Sequence, residues 1–202
     1  MILSLVKRLV PDRLKLYRHA RYSKYGWVLV NSDRRLLQDT IMPWFAALAE
    51  VRRVVDIGIE WYNAPYYRYF PNAAFFTIDC LPEVKKYGRE GFHHTMSVTG
   101  LDQKFDRDSL DLILCNGPIG WGLNTKEEIV TAMEQMAKAL RPGGYLGVGW
   151  NDREENRPGI RPKEAAELAG FEPFILPPVG ESQLLANELT SHRYEFYRLA
   201  DS

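Results

Sequence analysis

The stretch that most constrains this chain is Val54-Val55-Asp56-Ile57-Gly58-Ile59-Glu60-Trp61-Tyr62. A short apolar run meets an acid, a glycine follows, and the chain has to turn. In an open α/β sheet, this is how the first strand hands over to its first helix beside a nucleotide-type site. Every other element can be placed relative to this turn.

Upstream, Asn31-Ser32-Asp33 is a helix-start cluster. Leu36, Leu37, Thr40, Ile41, Trp44, Phe45 and Leu48 then recur at helical spacing, which predicts a helix to about Glu50, bent at Pro43. It leads into a strand over 53–57.

Downstream, short helices are expected over 64–70, stopped by Pro71, and over 82–87, closed by Gly88. Buried strands are expected over 74–78 and 111–115, with a weaker one over 91–98. Thr125-Lys126-Glu127-Glu128 reads as a capping box opening a helix that ends at Arg141-Pro142-Gly143-Gly144. A fifth strand over 145–150, a helix over 163–169 and a strand over 171–176 follow. Residues 177–190 read as a long loop or lid, and 192–199 alternate as a half-buried strand does. Strands alternating with helices mean a mostly parallel sheet covered on both faces.

The totals exclude more than they assign. With 202 residues and 46% apolar composition, the chain can bury one ordinary core. Its 26 basic and 26 acidic residues give no overall pull toward nucleic acid. Residues 1–25, however, carry seven basic residues against Asp12 alone, so +6 sits there and −6 on the rest. Residues 1–30 are therefore read as a basic amphipathic helical extension, one helix broken at Pro11 and a second running toward Tyr25, ahead of a domain over 31–202. Such an arm serves as a helical cap on the domain, a peripheral membrane contact or a dimer contact; monomer and homodimer both stay open. Cys80 and Cys115 form neither a disulfide framework nor zinc spacing. The expected location is cytoplasmic, with membrane association through the arm.

The chemistry gathers at the carboxyl ends of the strands, where such sheets bind ligands. The first strand brings Asp56, Gly58 and Glu60 there, the second Asp79, the fourth Asn116 and Gly117, the fifth Asn151 and Asp152. Asp79 stands 21 residues after Gly58, well placed to accept both hydroxyls of an adenosine ribose. The Gly-x-Gly-x-x-Gly pattern of a pyrophosphate cradle is absent, and Glu60 would repel phosphate. S-adenosylmethionine, with its sulfonium and ammonium groups, suits carboxylates better.

From Leu36 to Leu199 the chain resembles class I S-adenosylmethionine-dependent methyltransferases of the type 11-like kind. The residues behind this are the acid-x-Gly turn, the acid ending the second strand, Ser109-Leu110-Asp111-Leu112-Ile113, Leu140-Arg141-Pro142-Gly143-Gly144 and His192-Arg193-Tyr194-Glu195-Phe196-Tyr197. It is also similar to a bacterial subgroup that carries Glu60-Trp61-Tyr62, Gly120-Trp121-Gly122-Leu123-Asn124 and Gly149-Trp150-Asn151-Asp152. The resemblance implies a Rossmann-like three-layer sandwich, with a seven-stranded, mostly parallel sheet whose last strand is antiparallel. It implies Asp56, Gly58 and Glu60 near the amino-acid end of the cofactor, Asp79 on its ribose, Met96 and Ser97 by the adenine, and Asn116 and Gly117 by the sulfonium, with Cys80 also expected to bind the cofactor. Two positions depart from the family pattern: Glu60 replaces the second glycine, and Met96 replaces an acid. The implied activity is methyl transfer to a small-molecule acceptor. The alternative is a non-catalytic or atypical cofactor-binding protein that keeps the fold.

A base is needed only where the acceptor must lose a proton. The candidates are His93, His94 and His192, with Asp152 behind them. Trp61, Tyr62, Trp121 and Trp150, with Asn151, are candidate walls of the acceptor pocket.

Overall fold

The computed structural model describes residues 20–156 and 159–201. The chain enters through a hairpin, β1 (Ala20–Ser23) and β2 (Gly26–Leu29). Ser23 Oγ accepts from the Tyr25 N–H and donates to the Gly26 carbonyl, and Gly26 takes φ +125° to close the turn. The helix expected to run toward Tyr25 is therefore replaced by strands over its last residues. Gly26 and the flanking Tyr22, Trp27 and Val28 favour an extended pair there. The remainder of the predicted arm, residues 1–19, lies outside the described residues.

Helix α1 follows in three joined pieces: Ser32–Leu36, a wider π turn at Leu37–Ile41, and Met42–Ala47. The π turn sits just ahead of Pro43, which has no N–H to continue a regular ladder. The parallel strands are β3 (Arg53–Ile57), β4 (Ala74–Asp79), β5 (His93–Thr95), β6 (Leu110–Asn116) and β7 (Leu140–Asn151). Single 3-10 segments, Ala64–Tyr69 and Pro82–Tyr87, stand where short helices were expected, and a further one, Val98–Gln103, forms where none was. Helix α2 (Lys126–Ala139) opens on the anticipated capping box, with both reciprocal hydrogen bonds formed. Helix α3 (Pro162–Leu168) leads to β8 (Phe171–Pro173), and β9 (Gln183–Asn187) and β10 (His192–Leu199) follow.

Among the described residues the main sheet has eight strands, in the order β5-β4-β3-β6-β7-β10-β8 with β9 also on β10. The expected antiparallel last strand is β10, which pairs β7. The count exceeds seven because β9 forms inside the segment read as a loop. Its residues pair with the first half of β10, while β8 pairs with the second half.

Strand alternation sorts the core into two layers. Val55, Ile113 and Leu146 face α2, whereas Val54, Leu112 and Tyr145 face α1 and pack with Leu37, Ile41 and Phe45. No helix among the described residues is long and apolar enough to cross a membrane.

Candidate functional site

The chain runs outward from β3 to β4 and β5, then returns to place β6 on the opposite side of β3. At that reversal the carboxyl ends of the strands diverge, and a cavity of about 520 Å³ opens across them. Its central wall is Gly58 with Asn116, Gly117 and Pro118. Gly58 adopts φ +88°, a conformation that a side chain would strain. The turn is fixed by Asn63, which is buried: its Oδ1 accepts from the Glu60 N–H at 2.6 Å and its Nδ2 donates to the Gly58 carbonyl at 2.8 Å. Sequence reasoning passed over Asn63, although an Asn five residues past the glycine is a turn-stapling signal.

One end of the cavity lies over β4. Asp79 lines it, accepting the Ile59 N–H at 2.9 Å and the Leu81 N–H at 2.8 Å. A carboxylate has about four acceptor directions, so two remain for a ligand. Leu81, Val84, Met96 and Val98 give this end apolar walls, and Cys80 and Ser97 complete it.

The other end lies between α1 and the ends of β6, β7 and β10. Alternation directs Asp56, Asn116, Asn151, His192 and Tyr194 to the same side of the sheet as α1. Asn31, Asp33 and Arg34 come down from the start of α1 to meet them. Asp33 is buried and accepts from Asn31 Nδ2 at 2.8 Å and from Asn187 Nδ2 at 2.7 Å. Arg34 places its guanidinium over the Tyr62 ring, 5.1 Å from the centroid.

The electrostatics at this end are strongly biased. Burial pushes the Asp56 carboxyl up to about 8, with the facing Arg34 working against the shift, and its Oδ2 has no hydrogen-bond partner. Burial lowers the His192 imidazole to about 4, and Arg34 reinforces this while Asp33 opposes it. Its ring nitrogen Nδ1 lies 2.7 Å from Asn151 Oδ1, which can only accept, so the neutral ring carries its proton on Nδ1. His192 Nε2 is buried without a partner.

Gly58, Glu60, Asp79, Cys80, Met96, Ser97, Asn116 and Gly117 all line the cavity, as do Tyr62, Trp121, Trp150, Asn151 and His192. Five of the expected residues, Asp56, Trp61, His93, His94 and Asp152, do not. Asp56 points under the floor toward α1 because it alternates with Val55 and Ile57. Trp61 packs edge-on against Tyr62 instead. His93 sits on the outer strand β5, its Nδ1 3.0 Å from Thr77 Oγ1, and with His94 borders a separate shallow groove. Asp152 pairs with Arg193 at 3.0 Å and Arg161 at 4.0 Å, on the other side of its strand from His192. The group beside His192 is thus Asn151, not Asp152. The structure adds Asn31, Asp33, Arg34 and Thr190 to the lining.

Comparison with known proteins agrees with this architecture. No family model matches the chain. Uncharacterized methyltransferases of Mycobacterium tuberculosis and Mycobacterium bovis are 27% identical over 124 residues, 60% of this chain. The match spans about half the length of those relatives, 48%. Among solved structures, N-methyltransferase NodS from Bradyrhizobium japonicum superposes with a TM-score of 0.64 at 16% identity, over 85% of this chain and 98% of its own. Its complex with S-adenosyl-L-homocysteine gives 0.62 at 15% identity, over 92% and 97%. The [4+2]-cyclase SpnF gives 0.57 at 13% identity, over 88% and 87%. The chain therefore has the fold of the class I S-adenosylmethionine-dependent methyltransferases, a fold on which a cyclase is also built.

Proposed function

We propose that the chain is an S-adenosylmethionine-dependent methyltransferase that acts on a small molecule. The observation that carries this reading is the cavity across the β3/β6 reversal, with Asp79 delivered to one end of it and no phosphate cradle beneath. The methyltransferase relatives and the fold point the same way.

The residues present fit such a cofactor. Asp79 retains two acceptor directions for a ribose diol, and Leu81, Val84, Met96 and Val98 offer an apolar slot for a purine. Glu60 stands at the turn where a cationic amino-acid end would favour an acid. When bound, S-adenosylmethionine supplies a methyl group activated by a sulfonium. The chain's own contribution is to place an acceptor in line and exclude water. Trp121, Leu123 and Trp150 line the half beyond Asn116 and Gly117, where an acceptor would sit. His192, kept neutral at pH 7 by burial, has its free lone pair on Nε2 and is suited to accept a hydrogen bond from an acceptor N–H or O–H. It is a weak proton sink, because burial and Arg34 both oppose its cationic form.

Titration calorimetry with S-adenosylmethionine tests the reading, with micromolar binding expected. Methyl-labelled cofactor incubated with a small-molecule cell extract should yield a labelled product. Absence of heat at millimolar cofactor would remove the proposal. Binding without label transfer to any acceptor would favour the non-catalytic alternative.

A further inference from the structure

The entry hairpin carries an aromatic pair in water, set among cations that have no acid to meet. Tyr22 and Trp27 stand directly opposite one another in the β1–β2 register and touch edge to face, with ring centroids 5.6 Å apart. Tyr22 is 71% exposed and Trp27 56%, while the hairpin is held to the domain by its buried residues Val28 and Leu29. Two adjoining large rings outside the core, rimmed by charge, mark an interaction surface.

The rim is positive. Arg21 and Lys24 are exposed beside the pair, and Lys24 lies in the turn with its Nζ 4.7 Å from the centre of the Tyr25 ring. Arg68 reaches the same turn from the 3-10 segment Ala64–Tyr69, its Nη1 donating to the Tyr25 carbonyl at 2.6 Å. None of the three has an ion pair among the described residues, whereas Lys138, Arg141 and Arg193 each hold an acid elsewhere on the molecule. No acid occurs in the sequence between Asp12 and Asp33. The chain that runs into Ala20 has the same chemistry: residues 1–19 carry five basic residues against Asp12 alone, behind a mostly apolar opening from Ile2 to Val10.

We propose that the β1–β2 hairpin docks the protein on an anionic membrane, with Tyr22 and Trp27 at the level of the headgroups and Arg21, Lys24 and Arg68 over their negative charge. Tyrosine and tryptophan suit that boundary, because one end of each ring is apolar and the other wets. Each basic group held near an anionic leaflet adds to the attraction. The apolar, basic sequence leading into the hairpin supplies the second anchor that stable attachment needs. A nucleic-acid strand would require open ring faces for its bases, and the edge-to-face pair turns one ring against the other. Docking of this kind needs neither cofactor nor acceptor, so it stands apart from the methyltransferase reading.

Flotation of the 202-residue chain with vesicles provides the test. One set of vesicles is phosphatidylcholine alone, the other phosphatidylcholine mixed with phosphatidylglycerol, each at low and high salt. Binding is expected to the mixed vesicles only, and it should fall as salt rises. Arg21→Ala combined with Lys24→Ala should bind them about 30-fold more weakly, and Tyr22→Ala combined with Trp27→Ala about 10-fold more weakly. Thermal melts that match the wild type check that each variant folds. Trp27→Phe gives the reading if the aromatic double variant does not fold: bromine-labelled lipid should quench the wild-type fluorescence and quench this variant much less, although it still floats. Quenching unchanged by Trp27→Phe would overturn the proposal. Undiminished flotation of both double variants would overturn it too, by assigning attachment to residues 1–19. So would a wild type that ignores the mixed vesicles. In that case, a dimer in light scattering that Tyr22→Ala with Trp27→Ala dissociates would give the face to a second copy, and retention on a single-stranded oligonucleotide would give it to nucleic acid.

Discussion

The two ends of the cavity are built by different means. The β4 end is assembled from residues close in sequence to the Gly58 turn and held by main-chain hydrogen bonds, with Asp79 bonded to the Ile59 and Leu81 N–H groups. The α1 end is assembled from side chains far apart in sequence, such as Asp33 with Asn187 and His192 with Asn151. The first is a backbone device that tolerates variation around it. The second is a network of buried polar side chains, in which each member depends on its neighbours' charge.

Three substitutions would break or sharpen this contrast. The largest effect is expected at the β4 end. Asp79→Ala should weaken S-adenosylhomocysteine and methylthioadenosine together by about 100-fold, as loss of two hydrogen bonds to a charged acceptor implies. Calorimetry that showed a selective loss of one nucleoside would undo the division into two ends.

The second effect belongs to the α1 end and depends on pH. The folded-state value of Asp56, about 8, lies above its value in the unfolded chain, so the native state holds the extra proton. Its contribution to stability is full below about pH 4 and is lost as pH rises toward 8. Asp56→Asn removes that loss and should raise Tm by roughly 5 °C at pH 8, with little change at pH 4. Equal shifts at both pH values in thermal melts would mean that the carboxyl is not held neutral.

The smallest effect is at the hinge between the ends. Asn63→Ala removes two hydrogen bonds and should cost about 1–2 kcal/mol in denaturant unfolding, while loosening both nucleosides only a few-fold. A larger loss for S-adenosylhomocysteine than for methylthioadenosine would tie Asn63 to the α1 end.

The contrast also explains what could be read in advance. Asp79, Gly58 and Asn116 were legible because strand ends are marked by an apolar run followed by a polar residue or glycine. The capping box at Thr125 was legible because its four residues act on each other locally. Arg34 was missed, although it stands on the buried stripe of α1 that continues through Gln38, Ile41 and Phe45. A charged residue on an apolar stripe reads as solvated until the partners opposite it are known, and those come from β3 and β10. Trp61 was named as a wall as one of four aromatics expected near the crevice, yet neighbours in a turn point in different directions. His93 was named by residue type and Asp152 by its place at a strand end, and where each side chain points depended on strand order and alternation. The hairpin at 20–29 and strand β9 are short and take much of their stability from what they pair with, so periodicity gave little sign of either.

The bond from Asn187 to Asp33 spans 154 positions of the chain. Contacts of such separation form late, because a large loop must close before they are rewarded. Refolding followed by intrinsic fluorescence and by ligand capture should therefore separate in time. The sheet and its β4 end would mature first, and competence at the α1 end would arrive in a later kinetic phase.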